Sequence, residues 1–260
     1  MLRLASGGHH SCAVLQARDF GFELWCWGLA GSASSLQGLS PRRVAASQGN
    51  IVEVAAGGGF ACATLRGLQC AGTNSVGQLG SAGDFLVGSR PIEPFGGNSG
   101  TNFLGSLSLA AGAEHVCSIS GSQVWCWGSN SAGQLGTVAP PNLGGPAFSR
   151  GALPVTLAGV RQVSAGREHT CAVTVAGDAY CWGSNSHGQL GNGSSNAARN
   201  QTPALVLGGV KFVGVSAGGY HTCGATADGS LYCWGRNDKG QLGDGTTVNR
   251  LTPVRVGEAP

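Results

Sequence analysis

The stretch from 164 to 191, SAGREHTCAVTVAGDAYCWGSNSHGQLG, decides the architecture because the chain repeats it. Residues 216–243 read SAGGYHTCGATADGSLYCWGRNDKGQLG, so SAG, HTC, YCWG and GQLG recur in the same order 52 residues later. Three looser copies precede these two, and the first cysteines of successive copies are 50, 55, 54 and 52 residues apart. A period of this length indicates an array of supersecondary units.

Each copy divides into four strand-length segments. An apolar run ending in A-G or S-G leads to a segment such as HTCAVT, a tight turn and a segment such as AYCWG. A glycine-rich loop then leads to a proline-containing segment such as TPVRV, which is predicted at the outer edge of its sheet, where a missing N–H is tolerated. No segment has the 3.6-residue period of a helix.

The pattern predicts an all-β fold, a β-propeller of about five four-stranded blades, in a single repeat domain over 1–260. The predicted blades are approximately 2–52, 53–107, 108–160, 161–212 and 213–260.

Composition and charge exclude several classes of function. Charged residues make up only 10% of the chain and the net charge is +3, so no basic arm for nucleic acid is present. No stretch approaches the ~20 apolar residues of a transmembrane span, and the first residues lack the apolar core of a signal peptide. The sequence therefore predicts neither a nucleic-acid partner nor a membrane span.

All ten cysteines fall two per copy, on the two arms of one predicted hairpin. The pairs are Cys12 with Cys26, Cys62 with Cys70, Cys117 with Cys126, Cys171 with Cys181, and Cys223 with Cys233. In copy five, counting outward from a three-residue turn at 227–229 places the two cysteines opposite each other as the fourth pair, and copy four gives the same count. In copy three the turn shortens to Gly121-Ser122 and the cysteine spacing shortens by one, which keeps the register. The fourth pair should not be hydrogen-bonded, and its Cα atoms should approach ~4.5 Å, within disulfide range.

One cross-strand disulfide per blade is the interpretation we prefer, although copy two reaches its pair one step earlier and copy one has a longer turn. Two alternatives are ten reduced, buried cysteines and zinc sites shared between blades, for which no C-x₂-C spacing is present. Paired cysteines favour an oxidising compartment, hence an extracellular or cell-surface protein. The missing signal peptide favours the cytoplasm instead.

The motifs H-[TS]-C-A-[VL], [LY]-x-C-W-G-x-N and G-Q-L-G resemble the repeat of the regulator of chromosome condensation family, most closely at 180–193 and 232–245. The resemblance covers essentially the whole chain, but Ala71 replaces the family's tryptophan, Phe60 its histidine, and LQG at 36–38 its GQLG. It implies a β-propeller, most often of seven blades. Five copies would form either a closed five-bladed ring or an arc of a seven-bladed propeller, with an apolar blade face exposed at each end of an arc.

The repeated polar and aromatic residues are predicted to be structural. We expect the histidines to hydrogen-bond loop backbone, the tryptophans to pack between blades and the GQLG segments to form blade-corner turns. The residues concerned are His10, His115, His169, His221, Trp27, Trp127, Trp182, Trp234, Gly80, Gly136, Gly191 and Gly243.

A catalytic histidine would need a partner that recurs in step with it, and Glu114 and Glu168 precede only two of the histidines. No nucleophile elbow, metal-binding helix or pair of carboxylates with a definable geometry is present, so no catalytic, cofactor or metal site is predicted.

Two functional hypotheses follow. The first is a non-catalytic scaffold that binds another protein, whose identity the sequence does not give, through the loops 81–108 and 137–153, because loops on rigid frames carry recognition. The second, implied only by the family resemblance, is guanine-nucleotide exchange on a small GTPase. No inserted β-wedge of the kind found in the family's exchange members is evident, and no catalytic residue transfers to a numbered position.

Overall fold

The computed structural model describes residues 3–16, 21–28, 38–47, 53–64, 68–80, 108–139, 145 and 147–257. These residues contain no α-helix, and their strands form five antiparallel sheets, four with four strands and one with three. The all-β architecture predicted from the repeats is confirmed, with one sheet per copy of the repeat.

The strands follow the chain from blade to blade. Blade one contains β1 (Arg3–Ser6), β2 (His10–Gln16), β3 (Phe22–Gly28) and β4 (Gly38–Ser47). Blade two contains β5 (Val54–Ala56), β6 (Phe60–Thr64) and β7 (Leu68–Gly72). Blade three contains β8 (Ser108–Ala111), β9 (His115–Ser120), β10 (Gln123–Ser129) and β11 (Phe148–Pro154). Blade four contains β12 (Val160–Ala165), β13 (His169–Thr174), β14 (Ala179–Gly183) and β15 (Ala204–Leu205). Blade five contains β16 (Phe212–Ala217), β17 (His221–Thr226), β18 (Leu231–Gly235) and β19 (Arg250–Arg255). The fourth strand expected in blade two would fall in 81–107, outside the described residues.

In each four-stranded sheet the strands lie in chain order from one edge to the other. The first strands β1, β5, β8, β12 and β16 pack successively against one another, and among the described strands β16 has no such packing against β1. The blades therefore form an open arc, the second of the two arrangements that the sequence allowed. Pro41, Pro154 and Pro253 lie in β4, β11 and β19, which are the last strands of their sheets, as predicted.

Backbone hydrogen bonds connect successive blades along the inner side of the arc. They join the turns that link the first and second strands, where the sequence reads A-G or S-G. The donor and acceptor pairs are Gly8 N to Gly57 O (3.0 Å), Gly58 N to Ala113 O (2.9 Å), Ala113 N to Arg167 O (3.2 Å) and Arg167 N to Gly219 O (3.3 Å). This ladder fixes each turn relative to the next.

The hydrophobic core is divided among the interfaces between blades. Between blades four and five, for example, Val173 and the buried cysteines of blade four pack against Phe212, Val215 and Trp234 of blade five. Each inner blade is covered on both faces, which explains why its strands carry apolar or small residues on both sides.

The predicted hairpin registers are present. Cys223 pairs with Cys233, and Cys171 with Cys181, as counted from the turns. Gly121 has φ of 64°, as the shortened turn of copy three requires, and Cys117 still faces Cys126.

All five predicted disulfides are formed, including those of copies one and two, where the turns left the pairing less certain. The Cα–Cα distances are 4.0–4.2 Å, close to the spacing of a non-hydrogen-bonded pair, and no cysteine in the described chain is free. The bonds join Cys12 to Cys26, Cys62 to Cys70, Cys117 to Cys126, Cys171 to Cys181, and Cys223 to Cys233.

Candidate functional site

Two features of the arc are candidate sites. One is a buried hydrogen-bond relay between neighbouring blades, from a histidine through a threonine hydroxyl to a backbone carbonyl, and the other is an open funnel on the inner side of the arc. The relay is clearest between blades four and five. His169 Nε2 lies 2.9 Å from Thr222 Oγ1, and that hydroxyl donates to the carbonyl oxygen of Gln189 at 3.0 Å. Because a hydroxyl has a single hydrogen, the imidazole Nε2–H must donate to Oγ1, which leaves Nδ1 unprotonated.

The same relay joins blades three and four. His115 Nε2 lies 2.9 Å from Thr170 Oγ1, which donates to the carbonyl oxygen of Gln134 at 2.9 Å. The histidines therefore reach the next blade through a threonine hydroxyl, which the sequence did not indicate. His10 is the histidine that contacts backbone directly, because its Nε2–H donates to the carbonyl oxygen of Phe60 at 3.1 Å.

Burial keeps these imidazoles neutral. His115 and His169 are fully buried, and their Nδ1 atoms have no hydrogen-bond partner in the described part of the chain. Desolvation lowers the pKa of each to about 3, and it also lowers the pKa of His10 and His221. A ring that is neutral and enclosed at neutral pH is suited to joining blades rather than to exchanging protons with a substrate.

The tryptophans donate to the same carbonyl groups. Trp182 Nε1 donates to the oxygen of Gln134 at 2.9 Å, and Trp234 Nε1 to that of Gln189 at 3.0 Å. The final glycines of two GQLG turns lie under these indoles. A Cβ at Gly136, where φ is 70°, would stand 2.9 Å from Trp182 Nε1, and a Cβ at Gly191, where φ is 67°, would stand 2.8 Å from Trp234 Nε1. Two donors from one blade thus converge on the corner turn of the blade before it.

The disulfides lie beside the relay. Cys117 Sγ is 3.9 Å from Thr170 Oγ1, and Cys171 Sγ is 3.7 Å from Thr222 Oγ1. Cys126, which is bonded to Cys117, is fully buried in the interface between blades three and four. Each of these bonds therefore ties together the two hairpin strands that carry the histidine and the tryptophan of one blade.

The eroded copies show what the relay loses when its residues change. Phe60 replaces the histidine of blade two and Val116 replaces the threonine of blade three, so an apolar contact stands where the other interfaces have hydrogen bonds. Trp127 nevertheless donates to the carbonyl oxygen of Gln78 at 3.0 Å. Ala71, in place of the tryptophan, pairs with Ala61 in the sheet.

The funnel is an open cavity of about 880 Å³ on the inner side of the arc. The turns that form the backbone ladder line it, so most of its wall is glycine, alanine and exposed peptide groups. Two of these turns supply the charged side chains at its wall, which are Glu114, Arg167 and Glu168. The wall therefore offers peptide hydrogen bonds and a few charges, but no grouped nucleophile and base among the described residues.

An aromatic and cationic cluster lies at one edge of this funnel, and we call it the Tyr220 rim. The guanidinium carbons of Arg167 and Arg236 lie 5.7 and 5.6 Å from the centre of the Tyr220 ring, and His187 meets the ring edge to face at 5.4 Å. Arg236 is also held by Asp238, with nitrogen and oxygen 2.7 Å apart. The sequence showed only that Tyr220 stands where two other copies have glutamate.

No group of three histidine, cysteine, aspartate or glutamate side chains within the described ranges is placed to hold a metal ion. The part of the chain that the structure describes also has no helix of the length and hydrophobicity needed to cross a bilayer.

The repeats match a known family. Residues 122–173, 176–225 and 228–260 match the model of the regulator of chromosome condensation (RCC1) repeat, and 160–189 and 212–241 match a second model of that repeat. The chain belongs to this family. The RCC1-repeat assignment agrees with the fold, because the structure of Prp20p from Saccharomyces cerevisiae superposes with a TM-score of 0.77 over 98% of this chain and 62% of that one, at 20% identity.

Relatives in sequence are much longer proteins. Human "E3 ubiquitin-protein ligase HERC2" is 32% identical over 257 residues, which cover 93% of this chain and 5% of HERC2. "Ultraviolet-B receptor UVR8" from Arabidopsis thaliana is 37% identical over 155 residues, 58% of this chain and 34% of UVR8. The RCC1-repeat chain described here thus spans a small part of HERC2 and about a third of UVR8.

Proposed function

We propose that this RCC1-repeat chain is a non-catalytic protein-interaction scaffold and that the Tyr220 rim binds its partner. The observation that carries the proposal is the Tyr220 ring, whose centre lies 5.7 Å from the guanidinium carbon of Arg167, a residue of the funnel wall, and 5.6 Å from that of Arg236. Tyrosine and arginine are the residue types that dominate binding energy at protein interfaces, because they combine large apolar area with polar groups.

The frame around the rim supports this role. Arg167 and Gly219 belong to the backbone ladder, so the turns that present the arginine and the tyrosine are fixed relative to each other before any partner arrives. A preorganised surface loses little conformational entropy on binding. Arg236 is paired with Asp238, so Arg167 supplies the guanidinium group that favours a partner with a carboxylate side chain near an apolar group.

The loops 81–108 and 137–153, which the sequence suggested as contact surfaces, stay a prediction. Most of 81–108 lies outside the described residues, and residues 148–153 of the second loop belong to strand β11. Deletion of 137–153 would therefore remove most of an edge strand of blade three and disturb the fold. Substitutions at the Tyr220 rim give a cleaner test.

The test compares three forms of the chain: the parent, Tyr220→Ala, and Arg255→Ala, which removes an exposed arginine from the last strand of blade five. Proteins captured by the parent are identified, purified and titrated against each form. A partner should lose at least ~10-fold affinity for Tyr220→Ala and bind Arg255→Ala unchanged. Equal affinity for the parent and Tyr220→Ala would show that the rim is not the binding surface.

Guanine-nucleotide exchange is the second candidate function, and it rests on the family. Prp20p has been characterised for its binding to Gsp1p and histones, and at 20% identity the likeness supports the fold rather than a shared partner. Release of a fluorescent guanine nucleotide from a panel of small GTPases tests the candidate. Acceleration by catalytic amounts of the chain would establish exchange, and release at the intrinsic rate across the panel would remove it.

We also propose that the protein works in an oxidising compartment, outside the cell or at its surface, because five disulfides join strands in every blade. The intact mass of the natively produced protein, alkylated without reductant, tests this proposal. A deficit of ten hydrogens and no alkylated thiol is expected. Ten alkylated cysteines would place the protein in a reducing compartment.

A further inference from the structure

The two ends of the arc are chemically different and complementary. Each blade has a leading face, which packs against the blade before it, and a trailing face, which packs against the blade after it. At the interfaces between blades three and four and between blades four and five, the leading face supplies the threonine hydroxyl, the indole N–H and a β-branched residue of the first strand, which is Val163 or Val215. The trailing face supplies the histidine, the GQLG corner and an apolar patch around the disulfide.

The leading face of blade one has these groups but has no blade packed on it in the described chain. Leu4 occupies the place of Val163 and Val215, which are buried, yet 67% of its surface is exposed. Trp27 is only partly buried, whereas its counterparts in blades three to five, Trp127, Trp182 and Trp234, are fully buried. Ser11 stands where the relay threonine stands, opposite Trp27 in the sheet.

The trailing face of blade five carries the groups that would receive such a leading face. His221 is half-buried, while its counterparts in blades three and four, His115 and His169, are fully enclosed. Gly243 is exposed, whereas Gly191 at the same place in blade four is covered by the indole of the next blade. Leu231 is 51% exposed, although Ala179, its counterpart in blade four, is buried. An empty indole position and an uncovered apolar patch therefore lie side by side.

We propose that these two faces bind each other between two copies of this chain, head to tail. The Trp27 indole of one copy would pack over Gly243 of the other and donate to the Gln241 carbonyl, as Trp234 does to Gln189 within the chain. Ser11 Oγ would donate to the same carbonyl and accept from His221 Nε2. Leu4 would cover Leu231.

This contact is independent of the Tyr220 rim, which lies on the funnel side, so the two proposals fail separately. It is a heterologous interface, in which each copy keeps one free leading face and one free trailing face. Association can therefore continue beyond two copies, and the mass should rise with concentration in steps of one chain, 26.0 kDa.

The experiment is sedimentation equilibrium of the 260-residue chain and of variants at the two faces. Leu4→Asp and Leu231→Asp should each weaken association at least ~30-fold, because a carboxylate would be buried against an apolar patch. Both residues are exposed in the single chain, so the fold should survive, as far-ultraviolet circular dichroism can check. Val175→Asp, at a hairpin residue that is 74% exposed and on neither face, is the matched control and should associate like the parent.

Mixing the two blocked variants gives the decisive result. Leu4→Asp retains its trailing face and Leu231→Asp its leading face, so an equimolar mixture should form one-to-one heterodimers and nothing larger. Trp27→Phe, which keeps an aromatic ring but loses the N–H, should weaken association about 5-fold.

Other outcomes overturn the proposal. A parent chain that stays monomeric up to ~100 μM, as it would if the ring closed on itself, contradicts it. So does association that either aspartate variant leaves unchanged, or a mixture that remains monomeric, because the two faces would then not bind each other.

Discussion

Acid should destabilise this protein through two buried histidines. His115 and His169 are fully enclosed between blades, and burial lowers the pKa of each to about 3, against an ordinary value near 6.5. The unfolded chain therefore binds two protons below pH 6.5 that the folded chain does not. Stability is complete above pH 6.5 and falls as the pH drops from 6.5 towards 3.

The magnitude depends mainly on the unfolded state. A pH of 5 is about 1.5 units below the pKa of a histidine in the unfolded chain. The free energy of unfolding therefore falls by about 2 kcal/mol per histidine, or about 4 kcal/mol for both. Any folded pKa below about 4 gives the same result at this pH. A loss of this size is a large fraction of the ~5–15 kcal/mol by which a domain is stable.

Urea unfolding followed by tryptophan fluorescence between pH 4.5 and 8 measures the effect. His169→Phe imitates the residue that blade two has in this position, Phe60, and should lower the slope of unfolding free energy against pH by the contribution of one proton, about 1.4 kcal/mol per pH unit. Ile119→Val, a buried change without a titrating group, should lower stability by ~1 kcal/mol equally at every pH. A stability that does not change between pH 6.5 and 4.5, or a slope that His169→Phe leaves intact, would refute the reasoning.

Three further predictions concern the contacts that hold the blades. Trp182→Phe removes the indole N–H that Gln134 accepts and should lower the free energy of unfolding by ~1–2 kcal/mol, measured by urea titration. Replacing Cys171 and Cys181 together by serine removes the cross-link of a short loop and should lower the free energy of unfolding by ~3 kcal/mol, measured by urea titration with all other disulfides intact. An unchanged urea midpoint would show that this bond does not constrain the unfolded chain. Gly183→Ala should cost over ~2 kcal/mol in thermal unfolding, because φ is 99° and a Cβ would stand 2.5 Å from a backbone carbonyl, and a wild-type melting temperature would contradict that close approach.

The sequence determined the features that depend on neighbours along the chain. Counting outward from the turn at 227–229 placed Cys223 opposite Cys233, because in a hairpin the turn length alone sets the register. The edge position of the proline-containing strands followed in the same way, from a missing N–H. Because the unit is repeated, the same pairing was predicted for every blade. It is also present in the two least conserved copies of the repeat within this chain, where Cys26 bonds to Cys12 and Cys70 to Cys62.

The contacts between blades were decided only by the tertiary structure. The sequence marked His169 and Trp234 as structural, but not that both reach the Gln189 corner, one of them through Thr222. The contacts of Tyr220 with Arg167 and Arg236 were not predicted either, because the three residues come from different turns or loops. Contacts between side chains of separate blades depend on how the sheets stack on one another. This packing cannot be predicted from a turn length or from the period of a single strand. The openness of the arc was also decided there, because only the folded molecule shows that β16 does not pack against β1 and that the two end faces are exposed.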